Sequence, residues 1–135
     1  MMTLDSVTTE VLVLLLLLQV KHVVADYFLQ TEYILENRSN YGHPGGLLHV
    51  GLHAVGSALV LIGMGTAPAL LAAILLVEAV FHYHLDWFKD NWVAARKLSP
   101  RDAGFWHATG VDQALHQASY LVLAWAWVAG PGLLA

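Results

Sequence analysis

The chain has 135 residues, room for one domain rather than two; 58% are hydrophobic and only 12% charged, against about 25% charged in soluble domains. Such a balance excludes an ordinary water-exposed surface, and a net charge of -4 with no basic tract excludes nucleic acid as a partner. With no cysteine there are no disulfides, thiolate metal sites or iron–sulfur clusters, so any metal must be held by imidazole and oxygen. Eight histidines outnumber the six lysines and arginines, an unusual ratio.

The pattern predicts an all-α fold, a transmembrane bundle of four helices over about 8–36, 47–64, 67–95 and 105–129. The first begins with Asp5 and Glu10 and has no Lys or Arg before Lys21. A secretory signal needs a positive start, so this run is expected to be a retained helix. Its length exceeds the roughly 20 residues that a bilayer core requires, so its last turns are expected among the headgroups. Arg38-Ser-Asn-Tyr-Gly-His-Pro-Gly-Gly46 reads as a loop. The second helix carries Gly51, Ala54, Gly56, Ser57 and Ala58, which permit close approach of a neighbouring backbone. Gly63-Met-Gly-Thr-Ala-Pro68 is so short that the second and third helices must form an antiparallel hairpin. Before the fourth helix, Ser99 is placed to cap a helix with Pro100 at its first position; Gly130-Pro131-Gly132 is expected to stop it.

Basic residues set the orientation. Arg38 lies in the first loop and Lys89, Arg96, Lys97 and Arg101 around the third, whereas the central turn and both ends carry none. The positive-inside rule then predicts N-out and C-out, with the longer loops in the cytoplasm. Trp87, Trp92 and Trp106 fall at the inner interface and Trp127 near the outer one. The chain is thus expected to be a multi-pass protein of the bacterial inner membrane.

Ionisable groups within apolar helices cost roughly 2.5–3.5 kcal/mol each and are functional candidates by default. Here they recur at intervals of four: His22 and Asp26; His49 and His53; Glu78, His82 and Asp86; Asp112 and His116. A step of four turns only about 40° around a helix, so each set shares a face. In the topology above, all nine reach one level near the cytoplasmic boundary. Only Lys21 is a nearby cation, so a divalent transition metal (zinc, iron or manganese, one ion or two) would balance the four carboxylates. All nine residues are metal-ligand candidates, with Glu78 and Asp86 also the candidate catalytic acid–base groups. The set exceeds the four ligands of one zinc ion, leaving either a second metal or second-layer partners, and is comparable to the carboxylate–histidine cores of dimetal bundles.

Against this stands the plain alternative that i,i+4 His/Asp pairs merely bond helix to helix. His84 lies about 160° from His82 around its helix and is expected to face elsewhere. His43 and His107 are read as solvated loop imidazoles, and Lys89, Arg96 and Lys97 as topology signals. Lys21 either snorkels or pairs with an acidic member of the set.

Lys21-His22-Val-Val-Ala-Asp26-Tyr-Phe-Leu-Gln30, Leu48-His49-Val-Gly-Leu-His53-Ala54, Glu78-x3-His82-x3-Asp86 and Asp112-Gln113-x2-His116 together resemble domain-of-unknown-function family thirty-three-oh-seven, a bacterial and phage family. The likeness runs over nearly the whole chain in the same order. It implies a small multi-pass membrane protein and no particular activity. His84 departs from that family, where an apolar residue is more usual. The helical His and Asp positions are also loosely similar to those of membrane-bound metal-dependent hydrolases.

The reading therefore expects a metal-dependent hydrolase acting on a lipid-linked or interfacial substrate. Its alternatives are a membrane di-iron oxidase or hydroxylase, and a non-catalytic role as a small subunit of a larger membrane complex, a homo-oligomer or a haem-binding bundle. No phosphate-binding loop, Ser-His-Asp arrangement or nucleotide fingerprint is present.

Overall fold

A computed structural model describes residues 4–133. Among them every regular element is helical: α1 (Leu4–Val23), a π-helical turn (Val24–Phe28), α2 (Glu32–Asn37), α3 (Pro44–Gly63), α4 (Pro68–Ala95) and α5 (Ala103–Leu133). The four long helices form a ring in which α1 packs on α3 and α5, and α4 on α3 and α5, while α2 lies against α3. Successive long helices run antiparallel: Asp86, near the end of α4, meets His49 at the start of α3 and His116 early in α5.

Polarity is distributed inside out. Lys21, His22, His49, His53, Ser57, Glu78, His82, Asp86, Asp112 and His116 are all buried, while Leu12, Leu16, Val55, Leu59, Leu76, Val111, Leu121 and Trp125 stand exposed on the outside. Water would oppose that arrangement twice, by exposing apolar area and by stranding buried charge. Among the described residues three stretches are long and apolar enough to cross a membrane: Ser6–Phe28, Pro44–Gly63 and Pro68–Ala95. The expected fourth span, α5, does not reach that apolarity as a whole, because Asp112, Gln113, His116 and Gln117 lower its average.

Inside the ring the bundle has two halves. One is apolar, built from Leu14, Leu18, Leu61, Leu70, Ile74, Leu123 and Ala124 with the Tyr120 ring. The other holds the titratable groups. Gly130 lets α5 close on α4 in the apolar half, since a Cβ there would stand 2.6 Å from the Leu70 methyls. Along α4 the buried residues are Leu70, Ile74, Glu78, His82 and Asp86, and along α3 they include His49, His53, Ser57 and Leu61. This spacing of four follows the i±4n ridge of a helix, so one continuous ridge from each helix fills the centre.

Several expected boundaries move. The helix expected over 8–36 is not continuous: it widens into a π turn around Asp26 and breaks before α2. Thr31 caps α2 by accepting from the Ile34 N–H at 3.4 Å. The Gln30 amide, oriented to satisfy both neighbours, donates to the Asp26 carbonyl at 2.6 Å and accepts from Arg38, supplying partners that an uninterrupted helix would have provided. α3 starts earlier than expected because Pro44 takes its first turn and His43 Nδ1 accepts from the Gly45 N–H at 3.1 Å. His43 is therefore a helix cap rather than a solvated imidazole. Ser99 does not cap α5: its N–H and O–H both donate to Asp102 Oδ2 at 2.8 Å, closing a turn before the helix begins at Ala103. At the far end α5 runs on through Pro131, past the expected stop at Gly130-Pro131-Gly132.

Candidate metal centre

The polar half brings six of the nine expected ligands into two overlapping groups. Asp26, His49, His53 and His82 each place one ligand atom within 4.8 Å of the others, and so do His82, Asp86 and His116. His82 belongs to both. The result is one elongated cluster, with Asp26 and His53 on one side, Asp86 and His116 on the other, and His49 and His82 between.

Ligand atoms around a first-row divalent ion stand about 3.0–3.4 Å apart, as bond lengths of about 2.0–2.1 Å require. Here His49 Nε2 is 2.9 Å from Asp86 Oδ2 and 3.4 Å from Asp26 Oδ1. His82 Nε2 is 3.2 Å from Asp86 Oδ2 and 3.4 Å from His49 Nε2, and His116 Nε2 is 3.6 Å from Asp86 Oδ1. Asp86 Oδ2 makes no hydrogen bond of acceptable geometry despite its two imidazole neighbours, and His116 Nε2 likewise has no partner.

His116 decides how this crowding should be read. Its Nδ1 is 2.9 Å from the Asp112 carbonyl, and a carbonyl can only accept, so Nδ1 carries the hydrogen. In the neutral ring Nε2 is then a bare lone pair, buried and facing a carboxylate. Two acceptors face each other comfortably only across a cation. A ring nitrogen bonded to a backbone carbonyl with its opposite nitrogen left open is also how proteins orient histidine toward a metal.

His53 is arranged differently. Lys21 Nζ approaches its Nδ1 at 3.3 Å; an ammonium only donates, so the His53 hydrogen sits on Nε2, 3.0 Å from Asp26 Oδ1. In this geometry His53 steadies Asp26 rather than offering a lone pair. The rings pack closely, with His53 and His82 centroids 3.9 Å apart and His82 and His116 4.2 Å apart. That spacing leaves no gap for a haem plane between them.

Three expected ligands stand outside both groups. Glu78 binds Lys21 through a 2.6 Å ion pair and accepts from Ser57 at 2.8 Å, one turn deeper in the bundle. Lys21 thus pairs with an acid of the set instead of snorkelling. His22 contacts Asp26 at 3.1 Å, Gln113 Oε1 at 3.0 Å and the Tyr120 hydroxyl at 3.0 Å. Asp112 presents its backbone to His116, and its buried Oδ1 lacks a hydrogen bond. His84 faces away, bonding to the Val80 carbonyl and the Tyr41 hydroxyl.

Sequence reasoning passed over Ser57, Gln113 and Tyr120. Ser57 and Tyr120 each lie four residues beyond a recognised histidine, so extending the same ladder by one rung would have found them. Gln113 lies off that ladder, although it stands in the Asp112-Gln113-x2-His116 motif. Its amide reaches Asp26 at 3.4 Å from a neighbouring helix.

At the rim, Arg38 forms an ion pair with Asp90, donating from Nη2 at 3.0 Å, and Lys89 shares that carboxylate at 2.6 Å. Burial alone would lower the Arg38 pKa, but the Asp90, Asp86 and Asp26 charges raise it above its ordinary value. The pair fastens the segment after α2 to α4, above the centre.

The family described as "Protein of unknown function (DUF3307)" matches residues 11–132. The chain belongs to it. All nine histidine and carboxylate positions discussed above lie within the DUF3307 match. No curated protein and no solved structure matches the chain, so the hydrolase likeness gains no support from either.

Proposed function

We propose that this DUF3307 protein is a four-span inner-membrane enzyme, N-out and C-out, with a divalent transition-metal centre near the cytoplasmic face, acting as a hydrolase on a lipid-linked substrate. The observation that carries it is the open His116 Nε2 and the unbonded Asp86 Oδ2, set among His49 and His82 at metal-ligand spacing. Charge supports it too. Lys21 neutralises Glu78, and Asp90 takes up Arg38 and Lys89. Among the described residues Asp26, Asp86 and Asp112 have no lysine or arginine in ion-pair contact, a negative surplus that one or two divalent ions would balance.

That α5 spans with the others is supported by where its polar residues point. Asp112 and His116 turn inward, and Val111, Leu115, Leu121, Val122, Trp125 and Val128 face out. An average over the whole helix therefore understates how apolar its outer surface is, where of Asp112, Gln113, His116 and Gln117 only Gln117 is exposed. The orientation draws on Arg38, Lys89, Arg96, Lys97 and Arg101, which all lie at the bundle end that holds the centre.

In this reading His82, Asp86 and His116 would hold one ion, and Asp26 and His49, which share His82 with them, would hold or support a second. A bound divalent metal supplies a Lewis acid and an activated water. His53 and His22 orient Asp26, while Gln113 ties Asp26 to α5. Glu78 is committed to Lys21 and Ser57, which makes it a support of the centre rather than its base. Asp112 lies on the Nδ1 side of His116, its carbonyl 2.9 Å and its Oδ1 3.7 Å from that nitrogen, and so orients the ring from behind. The test is elemental analysis of gently extracted protein: about one or two equivalents of zinc, iron or manganese per chain are expected, falling sharply in His116→Ala and Asp86→Ala. Wild type that carries no stoichiometric transition metal refutes the proposal.

A further inference from the structure

We infer that the cleft between the end of α4 and the start of α5 binds the headgroup and proximal chain of an anionic phospholipid, presenting it beside Asp112. The inference rests on the metal-centre reading for its catalytic meaning, and on the following geometry for binding.

The cleft holds about 510 Å³ and is lined by Leu85, Phe88, Trp92, Ala108, Val111 and Leu115, with Lys89, Arg96 and Asp112 as its charged members. That volume lies within the range of small-molecule sites, roughly 300–1,000 Å³. Its walls include Phe88, Trp92, Val111 and Leu115, all exposed on the outer face of the bundle. In a bilayer this mouth opens sideways into the inner leaflet, so an acyl chain can enter without crossing water.

Charge selects the occupant. Among the described residues no carboxylate lies within ion-pair distance of Arg96. Its guanidinium is instead stacked on the Trp92 ring, 3.2 Å from the centroid, which holds an uncompensated cation at the mouth. Lys89 adds a second ammonium nearby, shared with Asp90. An amphiphile with an aliphatic body and a phosphodiester matches apolar walls with a cationic rim.

Asp112 is the second, independent feature. It is 5% exposed, lines the cleft, and its Oδ1 has no hydrogen-bond partner. Its Oδ1 stands 3.7 Å from His116 Nδ1 and its Oδ2 accepts from Gln113 at 3.3 Å, so a headgroup in the cleft lies against a carboxylate that is already tied to the ligand cluster. Through its carbonyl, Asp112 also orients His116, so the cleft and the ligand cluster share this residue as a common wall.

The probe is native mass spectrometry of the full-length protein in a neutral detergent, titrated with phosphatidylglycerol and phosphatidylcholine of identical chains, with metal content measured on the same samples. Wild type should retain phosphatidylglycerol over phosphatidylcholine by about fivefold for each engaged cation. Arg96→Gln, a surface change, should reduce that preference by about fivefold while leaving the metal content unchanged. Ala108→Trp, which fills the cleft, should weaken retention of both lipids. Equal retention of the two lipids by wild type, or an undiminished preference in Arg96→Gln, overturns the inference. Metal present with no lipid preference removes this inference and leaves the metal centre standing. The preference without metal refutes the centre and leaves the cleft as a lipid site without catalytic meaning.

Discussion

Replacing His82 with glutamine tests the centre most directly, because His82 is the one residue common to both ligand groups. Glutamine keeps a polar side chain of similar bulk, so the packing penalty is small compared with truncation to alanine. The consequence for metal binding is large. Losing even a hydrogen-bond partner of a ligand costs about 10–100-fold in affinity, so losing the ligand itself should cost at least about 100-fold. If metal is present at about 1,000 times its Kd, it stabilises wild type by about 4 kcal/mol, and a 100-fold loss removes roughly 2.7 kcal/mol of that. The assay is unfolding in mixed micelles with and without a strong chelator. On chelation wild type should lose about 4 kcal/mol, and His82→Gln only about 1.4 kcal/mol. Equal responses from the two proteins, or no response from wild type, would show that these imidazoles are only interhelical hydrogen-bonding groups.

Other outcomes follow from neighbouring contacts. Lys21→Met strands the Glu78 carboxylate beside Ser57 and should destabilise by about 3–5 kcal/mol; Lys21→Met with Glu78→Leu should regain most of this in the same unfolding assay, and failure to recover would mean that Lys21 acts through something other than its pair. Lys97 occupies a left-handed conformation (φ 54) where Lys97 N–H bonds to Ala94 O and Leu98 N–H to Val93 O, each at 3.0 Å, closing α4. Glycine favours that position, so Lys97→Gly should stabilise by about 1 kcal/mol, and a loss of stability would contradict the assignment. Asp102 has its pKa lowered from 3.8 by the Ser99 N–H and O–H. The turn is therefore favoured above the ordinary carboxylate range and weakens as pH falls through the lowered value. The Ser99 amide resonance should titrate with a midpoint below 3.8, and Asp102→Asn should abolish the titration.

The contrast between first-helix and fourth-helix expectations is instructive. Around Asp26 nothing in Val-Ala-Asp-Tyr-Phe distinguishes a π turn from an α turn. The wider turn is set by contacts from Asp26 to His53 and His49 on α3, which local propensity does not contain. In α5 the alternation of buried His116 and exposed Val111 was visible from spacing, yet average apolarity hides it, because a mean over all sides discards direction. His43 shows a third case: a histidine in a loop was read from its neighbours as solvated, whereas its side chain closes the first turn of α3.

Composition and the four-residue rhythm of histidine and acid were enough to give helices, an apolar exterior and a polar stripe on each long helix, since these depend only on helical period and on what a bilayer accepts. Which stripe members meet was decided by tertiary structure. Glu78 and Asp86 occupy equivalent rungs of one helix, but Lys21 stands opposite the first and three imidazoles surround the second. That difference arises from the relative height of neighbouring helices, a quantity set by packing between chain segments far apart in sequence.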